Sequence, residues 1–370
     1  MKTNNTVQNV RGSTNCKLLY SNMFLPKFDV NLSKTFKLYT MNTQATYKAF
    51  RVEENYGKFT TAIKDMPFLE ISEGELLIKV SYSSLNYKDT LSATGNKGVT
   101  RNFPHTPGID AAGVIVASHS NKFKIADQVI VTSYDLGMNT DGGFAEYVKV
   151  PIEWVVKLPT GLSMKEAMMI GTAGLTAGMS VLRLTETVQP ENGTIAVSGA
   201  TGGVGSVSLA ILNKLGYKTV AITSKNSEVD FLKKLGANEV ILREDFENLD
   251  KKPLLRPLYA GAIDTVGGTI LENLIKSVSP MGTVSCCGNV ASPKLELTVF
   301  PFILRGVSLI GIDSQNYPME YREKVWFKLA TEWKLDTLAE TTTEIALEDL
   351  QAKINLMLEG KLKGRTIIKL

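Results

Sequence analysis

The chain has 370 residues, of which 44% are hydrophobic and 21% are charged, a composition typical of a globular protein with about two domains. The formal net charge of +4 arises in residues 1–40, which hold six basic side chains and one acid and leave 35 basic against 36 acidic residues elsewhere. A near-neutral body argues against binding to nucleic acid or to a membrane surface.

Residues 1–40 are rich in Asn, Ser and Thr and show no helical or strand period, so we expect either a disordered leader or a natural start at Met41. The segment has no apolar run long enough for a signal peptide or a membrane span, and its single arginine is few for a transit peptide. The three cysteines, Cys16 and the adjacent Cys286 and Cys287, cannot form a disulfide framework. We therefore expect a cytoplasmic protein.

The region 45–160 predicts a β-rich domain of short strands separated by turn residues. Candidate strands cover residues 75–80, 108–118 and 127–132, and a fourth starts at Gly142 and ends at Pro151. The periodicity changes at Ser163-Met164-Lys165-Glu166, which has the pattern of a capping box. The apolar run that follows, as far as Leu184, predicts a helix and marks the joint with the next domain.

From Gly193 onward, short apolar strands alternate with helices. Strands are predicted at 194–198, 219–222, 240–242, 262–266, 283–286 and 308–312, and helices at 203–215, 228–235 and 269–278. Two amphipathic helices, at about 320–334 and 347–358, and a strand at 365–369 complete the chain. Alternation of this kind predicts an α/β domain with a parallel sheet covered by helices.

The strongest functional signal is the glycine-rich sequence Val197-Ser198-Gly199-Ala200-Thr201-Gly202-Gly203-Val204-Gly205, which follows a predicted buried strand and opens a predicted helix. Glycines permit a tight turn and let backbone N–H groups approach a pyrophosphate, whose charge the helix N-terminus favours. In this context the sequence predicts a dinucleotide site. The alternative is a structural turn in another doubly wound fold.

The end of the next strand discriminates between the two nicotinamide cofactors. An NAD site usually places an acid there for the ribose 2′-hydroxyl, about 20 residues after the glycines. Here the strand ends in Thr223-Ser224-Lys225-Asn226, with no carboxylate until Glu228. Hydroxyls and a cation favour the 2′-phosphate of NADPH, and Arg243 could add a second charge. The alternative is that Lys225 is an ordinary solvated lysine.

Several motifs resemble the medium-chain dehydrogenase/reductase superfamily, in its quinone oxidoreductase branch and acrylyl-CoA reductase (YhdH/YhfP-type) subgroup. The resemblance runs from about residue 45 to the C-terminus. Besides the glycine-rich loop, it rests on Ser83-Ser84-Leu85-Asn86-Tyr87-Lys88-Asp89, Arg101-Asn102-Phe103-Pro104, Thr106-Pro107-Gly108-Ile109-Asp110, Ile170-Gly171-Thr172-Ala173-Gly174 and Pro301-Phe302-Ile303-Leu304-Arg305.

The resemblance implies a GroES-like substrate domain over 41–168, a Rossmann NADPH-binding domain over 169–305, and a return segment over 306–370 that completes the first. It also implies a homodimer paired through the edge strand near 308–312, and a small acyl-CoA thioester as substrate. Relatives have Ser-Gly-Arg where this chain has Thr-Ser-Lys, which softens the expected preference for NADPH because lysine lacks the arginine fork. The implied cofactor contacts are Tyr87, Thr172, Thr201, Gly202, Gly203, Val204, Thr223, Ser224, Lys225, Arg243, Asn289, Ile303 and Ser314.

The chain is poor in zinc ligands. It has two histidines, His105 and His119, whereas a zinc site needs about four ligands with local spacing. Where zinc-dependent relatives have Gly-His-Glu, this chain reads Gly108-Ile109-Asp110. We therefore predict a protein without zinc.

Without a Lewis acid, reduction of an activated C=C bond is easier to support than reduction of a ketone. The enolate that forms needs hydrogen-bond donors and then a proton, and Tyr87 and Asn86 are the candidates. Core packing or a cofactor contact are the alternative roles of Tyr87, and Cys286 and Cys287 are expected to fill a buried strand. Quinone reduction and non-catalytic NADPH binding remain as alternative functions.

Overall fold

The computed structural model describes residues 46–68, 70–249 and 251–370, so the expectations for residues 1–40 lie outside the described part. These residues form a two-stranded hairpin, a seven-stranded mixed sheet and a six-stranded parallel sheet. In chain order the strands and α-helices are β1 (Thr46–Asn55), β2 (Lys58–Pro67), β3 (Glu75–Ser84), α1 (Tyr87–Ala93), β4 (Asp110–Ser118), β5 (Gln128–Thr132), β6 (Tyr147–Pro151), β7 (Val155–Lys157), α2 (Met164–Thr185), β8 (Ile195–Ser198), α3 (Gly203–Lys214), β9 (Thr219–Thr223), α4 (Val229–Lys234), β10 (Glu239–Leu242), α5 (Arg243–Glu247), β11 (Tyr259–Asp264), α6 (Gly268–Ser277), β12 (Val278–Cys286), α7 (Phe300–Arg305), β13 (Ser308–Gly311), α8 (Met319–Ala330), β14 (Thr342–Ala346), α9 (Leu350–Leu358) and β15 (Arg365–Lys369).

The mixed sheet has the order β14-β15-β3-β4-β5-β7, with β6 paired to β3. Its strand β15 comes from the C-terminal end of the chain and pairs antiparallel with β3. The strand predicted to start at Gly142 and to end at Pro151 is present as β6, but it begins only at Tyr147. A Cβ atom on Gly142 would lie 2.4 Å from the carbonyl oxygen of Gly108, and one on Gly143 would lie 2.1 Å from that of Asp110. Glycine is therefore required at both positions, because the backbone passes very close to that of residues 108–110 here.

Helix α2 joins the two sheets and begins where the sequence predicts. The Ser163 hydroxyl accepts a hydrogen bond from the Glu166 backbone N–H at 3.2 Å, and the Glu166 carboxylate accepts from the Ser163 N–H at 2.8 Å. The helix is kinked at Gly171, whose φ of 53° and ψ of −163° are not helical. It is long and apolar enough to cross a membrane by composition alone, but 89% of its apolar window is buried inside the protein. It is a core helix.

The parallel sheet has the order β10-β9-β8-β11-β12-β13, which confirms the predicted α/β fold. The strand order reverses between β8 and β11, and ligands of such sheets bind outside the carboxyl ends of the strands at this switch point. The structure differs from the expected limit of the Rossmann domain at residue 305. Strand β13 pairs in parallel register with residues 283–286 of β12 and belongs to the same sheet. We therefore place the end of this domain after Gly311.

The largest hydrophobic core packs β8, the strand that precedes the glycine-rich loop, against α2. It joins Leu175 of α2, Val197 of β8, Leu209 of α3 and Trp326 of α8, all of which are fully buried. Packing at this density tolerates little movement, so β8 and α3 hold the loop between them in a defined position.

Candidate functional site

The loop that follows β8 can be built only with glycine at critical positions. Gly199 has a φ of 58°, and a Cβ atom there would lie 2.1 Å from Oγ1 of Thr265 on the neighbouring strand end. A Cβ atom on Gly205 would lie 2.4 Å from the carbonyl oxygen of Gly199, which also accepts the Gly202 N–H at 2.9 Å. The glycines therefore close a turn that brings the start of α3 against the end of β8.

The start of α3 fits a bound anion. The backbone N–H groups of Gly203 and Val204 have no acceptor among the described residues, as expected for the first turn of a helix. That turn also contains no acidic side chain, so the partial positive charge of the helix N-terminus is not neutralised by the protein itself. Free N–H groups on a glycine cradle are what a dinucleotide pyrophosphate requires.

The end of β9 presents the polar sequence predicted to recognise the adenosine ribose. Thr223 is buried, and its hydroxyl accepts a hydrogen bond from the Lys225 backbone N–H at 3.1 Å. Ser224 is exposed. The Lys225 ammonium donates to the carbonyl oxygen of Leu362 at 2.5 Å, so this lysine is held in place and is not freely solvated. Its role in binding the 2′-phosphate stays a prediction.

Arg243 lies at the same edge of the sheet. Strands β9 and β10 are paired with Leu242 opposite Thr223, so Arg243 follows its strand at the level of Ser224. Its guanidinium is bound to the Glu247 carboxylate at 2.7 Å, within helix α5. The structure thus brings the predicted cations Lys225 and Arg243 to one edge of the sheet.

A buried carboxylate, Asp110, organises the other half of the site. It accepts hydrogen bonds from the Ser84 hydroxyl at 2.5 Å and the Asn86 amide at 2.8 Å. It also accepts from the backbone N–H of Thr172 at 2.9 Å and from its hydroxyl at 2.6 Å. Thr172 is the first residue after the kink at Gly171, so Asp110 supplies the negative charge that favours the restarted helix.

Arg365, the first residue of β15, is the cation of the same network. Its guanidinium donates to the carbonyl oxygen of Met169 at 3.1 Å, to Asn86 Oδ1 at 3.2 Å and to the Ser84 hydroxyl at 2.8 Å, and it lies 3.9 Å from Asp110. Complete burial lowers the pKa of Arg365, and the charge of Asp110 opposes that shift. This residue therefore ties the end of the chain to the start of α1 and to α2.

The two predicted proton or hydrogen-bond donors have different surroundings. Asn86 is buried, and its amide group donates to Ser84 O at 3.2 Å and to Asp110 at 2.8 Å. Both of its N–H bonds are therefore used within the protein. Tyr87 is 48% exposed, and its hydroxyl has no hydrogen-bond partner in the described ranges 46–68, 70–249 and 251–370. Of the two, Tyr87 has the donor that a ligand can reach.

Asp89 is a second buried carboxyl to which the sequence analysis gave no role. It accepts hydrogen bonds from the backbone N–H groups of Asn86 at 2.8 Å and Ile109 at 2.8 Å. Burial raises the pKa of Asp89 to about 7, and the nearby charge of Asp110 adds to the shift. The spacing of three residues from Asn86 is that of a helix-start contact and could have identified it. The sequence feature that could have identified Arg365 is its place as a charged residue at the start of an apolar strand.

The remaining predicted cofactor contacts lie around β12 and β13. The carbonyl oxygen of Ser314 accepts from the buried Arg322 guanidinium at 2.8 Å, and the adjacent Gln315 accepts from the Lys88 ammonium at 2.9 Å, which links this turn to α1. Asn289 is exposed beyond the end of β12. Ile303 is 68% exposed on α7, and only the family resemblance assigns it to the cofactor.

The adjacent cysteines are half-buried and pack against the hydrophobic cores, and only Cys286 lies in a strand, whereas the sequence predicted that both fill a buried strand. Cys287 Sγ lies 3.4 Å from the carbonyl oxygen of Asp264, and Cys286 ends β12. Burial raises the pKa of both thiols, that of Cys287 to about 12, with the Asp264 charge acting in the same direction. Protonated thiols are poor nucleophiles.

Metal-ligating side chains do not converge in the described part of the chain. No group of three or more His, Cys, Asp or Glu residues there could hold a metal ion. His105 Nε2 is hydrogen-bonded to the Gly137 carbonyl oxygen at 3.0 Å, and burial lowers the pKa of this imidazole. Asp110 aligns with the Glu of zinc-dependent relatives, and its carboxylate oxygens already accept the hydrogen bonds described above.

Comparison with known families gives two matches along the chain. Residues 72–160 match the family described as "Alcohol dehydrogenase GroES-like domain", and residues 203–331 match the family described as "Zinc-binding dehydrogenase". The first match covers the mixed sheet from near β3 to β7, and the second begins at α3.

Two curated proteins are similar over most of their length. "Putative quinone oxidoreductase YhfP" of Bacillus subtilis is 42% identical over 326 residues, covering 88% of this chain and 99% of that protein. "Acrylyl-CoA reductase AcuI" of Ruegeria pomeroyi is 36% identical over 317 residues, covering 85% of this chain and 96% of that protein.

Two solved structures have the same fold at similar identity. The yhfP protein of Bacillus subtilis, solved with NAD bound, superposes with a TM-score of 0.86 at 42% identity, covering 88% of this chain and 100% of that one. The yhdH oxidoreductase of Salmonella enterica, solved in complex with NADP, gives a TM-score of 0.85 at 38% identity, covering 87% of this chain and 99% of that one.

Proposed function

Because this chain belongs to the medium-chain dehydrogenase/reductase superfamily, in the YhdH/YhfP subgroup, and is an oxidoreductase, we propose that it reduces the C=C bond of a small α,β-unsaturated acyl thioester with NADPH. The observation that carries the proposal is the exposed side chain of Tyr87, whose hydroxyl has no hydrogen-bond partner in the described ranges. Tyr87 directly follows Asn86, which is hydrogen-bonded to Asp110 and Arg365. An acrylyl-CoA-like substrate agrees with the name of the Ruegeria relative. The enzyme would work in the cytoplasm.

The cofactor would lie across the switch point of the parallel sheet. Its pyrophosphate would accept hydrogen bonds from the free N–H groups at the start of α3, and its 2′-phosphate would face Lys225 and Arg243. When bound, NADPH supplies a hydride. Thr172 and Ser314 are our candidates for contacts near the nicotinamide. Asn289 and Ile303 remain candidates on family resemblance.

The residues of the chain would stabilise the negative charge that develops in the reaction and supply the proton. Hydride addition to the β-carbon moves the electrons of the C=C bond onto the thioester carbonyl oxygen as an enolate. The Tyr87 O–H would donate a hydrogen bond to this oxygen and then a proton to the α-carbon, and its exposure would allow reprotonation from water. Asn86 would act as a positioning residue that fixes the start of α1, since its own donors are engaged.

We also propose that the reaction needs no zinc. In place of a ligand set, Asp110 accepts bonds from Ser84, Asn86 and Thr172 and faces the Arg365 guanidinium. A carboxylate with these partners has little capacity left for a metal ion, and electrophilic assistance would come from Tyr87.

Quinone reduction is the second candidate, because the Bacillus relative carries that name. The two functions differ in what the second half of the reaction requires. A quinone can take its protons from water, whereas an enolate needs a proton delivered to carbon.

A panel of enoyl thioesters, enones and quinones, assayed by NADPH oxidation, therefore tests the proposal. We expect enoyl thioesters to be the best substrates. Turnover of quinones alone would favour the second candidate, and no turnover at all would indicate a non-catalytic NADPH-binding protein.

The same panel, repeated after exhaustive chelation, tests zinc independence. We expect unchanged rates and far less than one zinc per chain by elemental analysis. About one zinc per chain, together with a rate that chelation removes and zinc restores, would contradict the proposal.

We further propose that the protein forms a homodimer through β13. This strand is one of the two edges of the parallel sheet among the described residues, and unpaired edges favour pairing with another chain. Beside it, Met281, Ile303 and Leu304 expose apolar side chains. Light scattering coupled to size-exclusion chromatography should give twice the chain mass, and Ile303→Lys together with Leu304→Glu should shift the population towards the monomer. A monomeric wild-type protein would rule the dimer out.

A further inference from the structure

We infer that Lys363, on the return segment of the chain, is a second cation of the 2′-phosphate site and that it neutralises Glu228 there. The inference rests on the proposed cofactor and adds to it a residue that neither the glycine-rich loop nor the end of β9 contains. It concerns how this chain distinguishes NADPH from NADH.

Residues 362–365 run along the cofactor loop, and contacts on both sides of Lys363 fix their course. The carbonyl oxygen of Leu362 accepts from the Lys225 ammonium at 2.5 Å, and the Gly364 N–H donates to the Thr201 carbonyl oxygen at 3.2 Å. The next residue, Arg365, reaches under the start of α3, where its Nη1 would lie 3.1 Å from a Cβ atom on Gly203. Lys363 therefore sits between the ribose end and the pyrophosphate end of the site.

The side chain of Lys363 extends towards the ribose end. Its ammonium is bound to the Glu228 carboxylate at 2.9 Å and lies 5.6 Å from the centre of the Phe231 ring. Glu228 belongs to the short turn that directly follows Lys225. The chain contacts on both sides therefore put Lys363 next to Lys225, because Leu362 accepts from the Lys225 ammonium and Glu228 lies three residues after Lys225. Burial lowers the pKa of Lys225, Glu228 raises it, and the positive charge of Lys363 lowers it further.

This arrangement explains how an acid can follow β9 without excluding a phosphate. Alone, the Glu228 carboxylate would repel a 2′-phosphate, which carries close to two negative charges at neutral pH. Paired with Lys363, its charge is neutralised, and the side chain of Lys363 is 56% exposed, so that its ammonium can contact an arriving phosphate without leaving Glu228. NADH carries a hydroxyl at this position and gains nothing from the second cation.

The test measures binding of two fragments, 2′,5′-ADP for the NADPH end and 5′-AMP for the NADH end, by calorimetry on the full chain. We expect Lys363→Met to weaken 2′,5′-ADP roughly tenfold or more and to leave 5′-AMP unchanged, because a charge-assisted contact is lost. Glu228→Gln should tighten 2′,5′-ADP severalfold. Lys361→Met is the matched control, since Lys361 is paired with Glu359 at the surface and the variant has the same charge change.

Each outcome separates this inference from the proposed cofactor. Lys225→Glu serves as the reference variant and should weaken 2′,5′-ADP selectively. If Lys225→Glu is selective while Lys363→Met matches Lys361→Met, the role of Lys363 is refuted and the cofactor assignment stands. If the wild-type protein binds 2′,5′-ADP no more tightly than 5′-AMP, both fail. Retained 5′-AMP binding shows that the variant is folded, and equal weakening of both fragments would also overturn the inference.

Discussion

Replacing Tyr87 with phenylalanine is expected to lower turnover of an enoyl thioester by about 10²–10⁴-fold, the range typical of a positioned proton donor. The substitution keeps the aromatic ring and removes only the hydroxyl, which has no hydrogen-bond partner in the described part of the protein. The fold should therefore be unaffected. The measurement is the single-turnover rate of NADPH oxidation with saturating enoyl thioester.

Two controls make the result specific. NADPH binding, measured by fluorescence titration, should change little if the hydroxyl serves the substrate and not the cofactor. Quinone reduction should also change little, because quinone oxygens can take protons from water. If Tyr87→Phe keeps full enoyl turnover, Tyr87 is not the acid, and a solvent-derived proton replaces it in the mechanism.

The variant Arg365→Met is expected to lower the free energy of unfolding by about 3–5 kcal/mol, the usual effect of breaking a buried ion pair from one side. Its guanidinium is completely buried, and its removal leaves the Asp110 carboxylate without its cation and the Met169 carbonyl without a donor. Activity should fall as well, because Asn86 loses a contact that fixes the start of α1. Urea denaturation followed by circular dichroism gives the change.

Three further variants show which part of the network causes the loss of stability in Arg365→Met. Arg365→Lys keeps the charge but not the forked donors and should lie between the wild type and Arg365→Met. Adding Asp110→Asn to Arg365→Met removes the unpaired charge and should recover part of the stability, which also tests the pair if the single variant is too unstable to purify. Lys369→Met, at an exposed position of the same strand, should be neutral. A loss below about 1 kcal/mol in Arg365→Met would show that the network contributes little.

The sequence by itself determined the parallel sheet and the cofactor loop, because both depend on short-range patterns. The alternation of strands and helices after Gly193 and the glycines between β8 and α3 encode their own geometry within a few residues. The capping box at Ser163 is equally local, and the structure confirms it. The strand predicted from Gly142 to Pro151 starts later than expected for the complementary reason, since Gly142 and Gly143 are constrained by residues distant in the chain.

Only the tertiary structure decided which side chains share the site. Arg365 meets Asn86 across 279 positions of sequence, and Lys363 meets Glu228 across 135. No periodicity or spacing rule reports such pairs, because they depend on how β15 returns to the mixed sheet. Tyr87 is exposed while Asn86, one residue earlier, is buried with both N–H bonds in use. The sequence predicted both residues for the site, and only the packed structure shows that their surroundings differ.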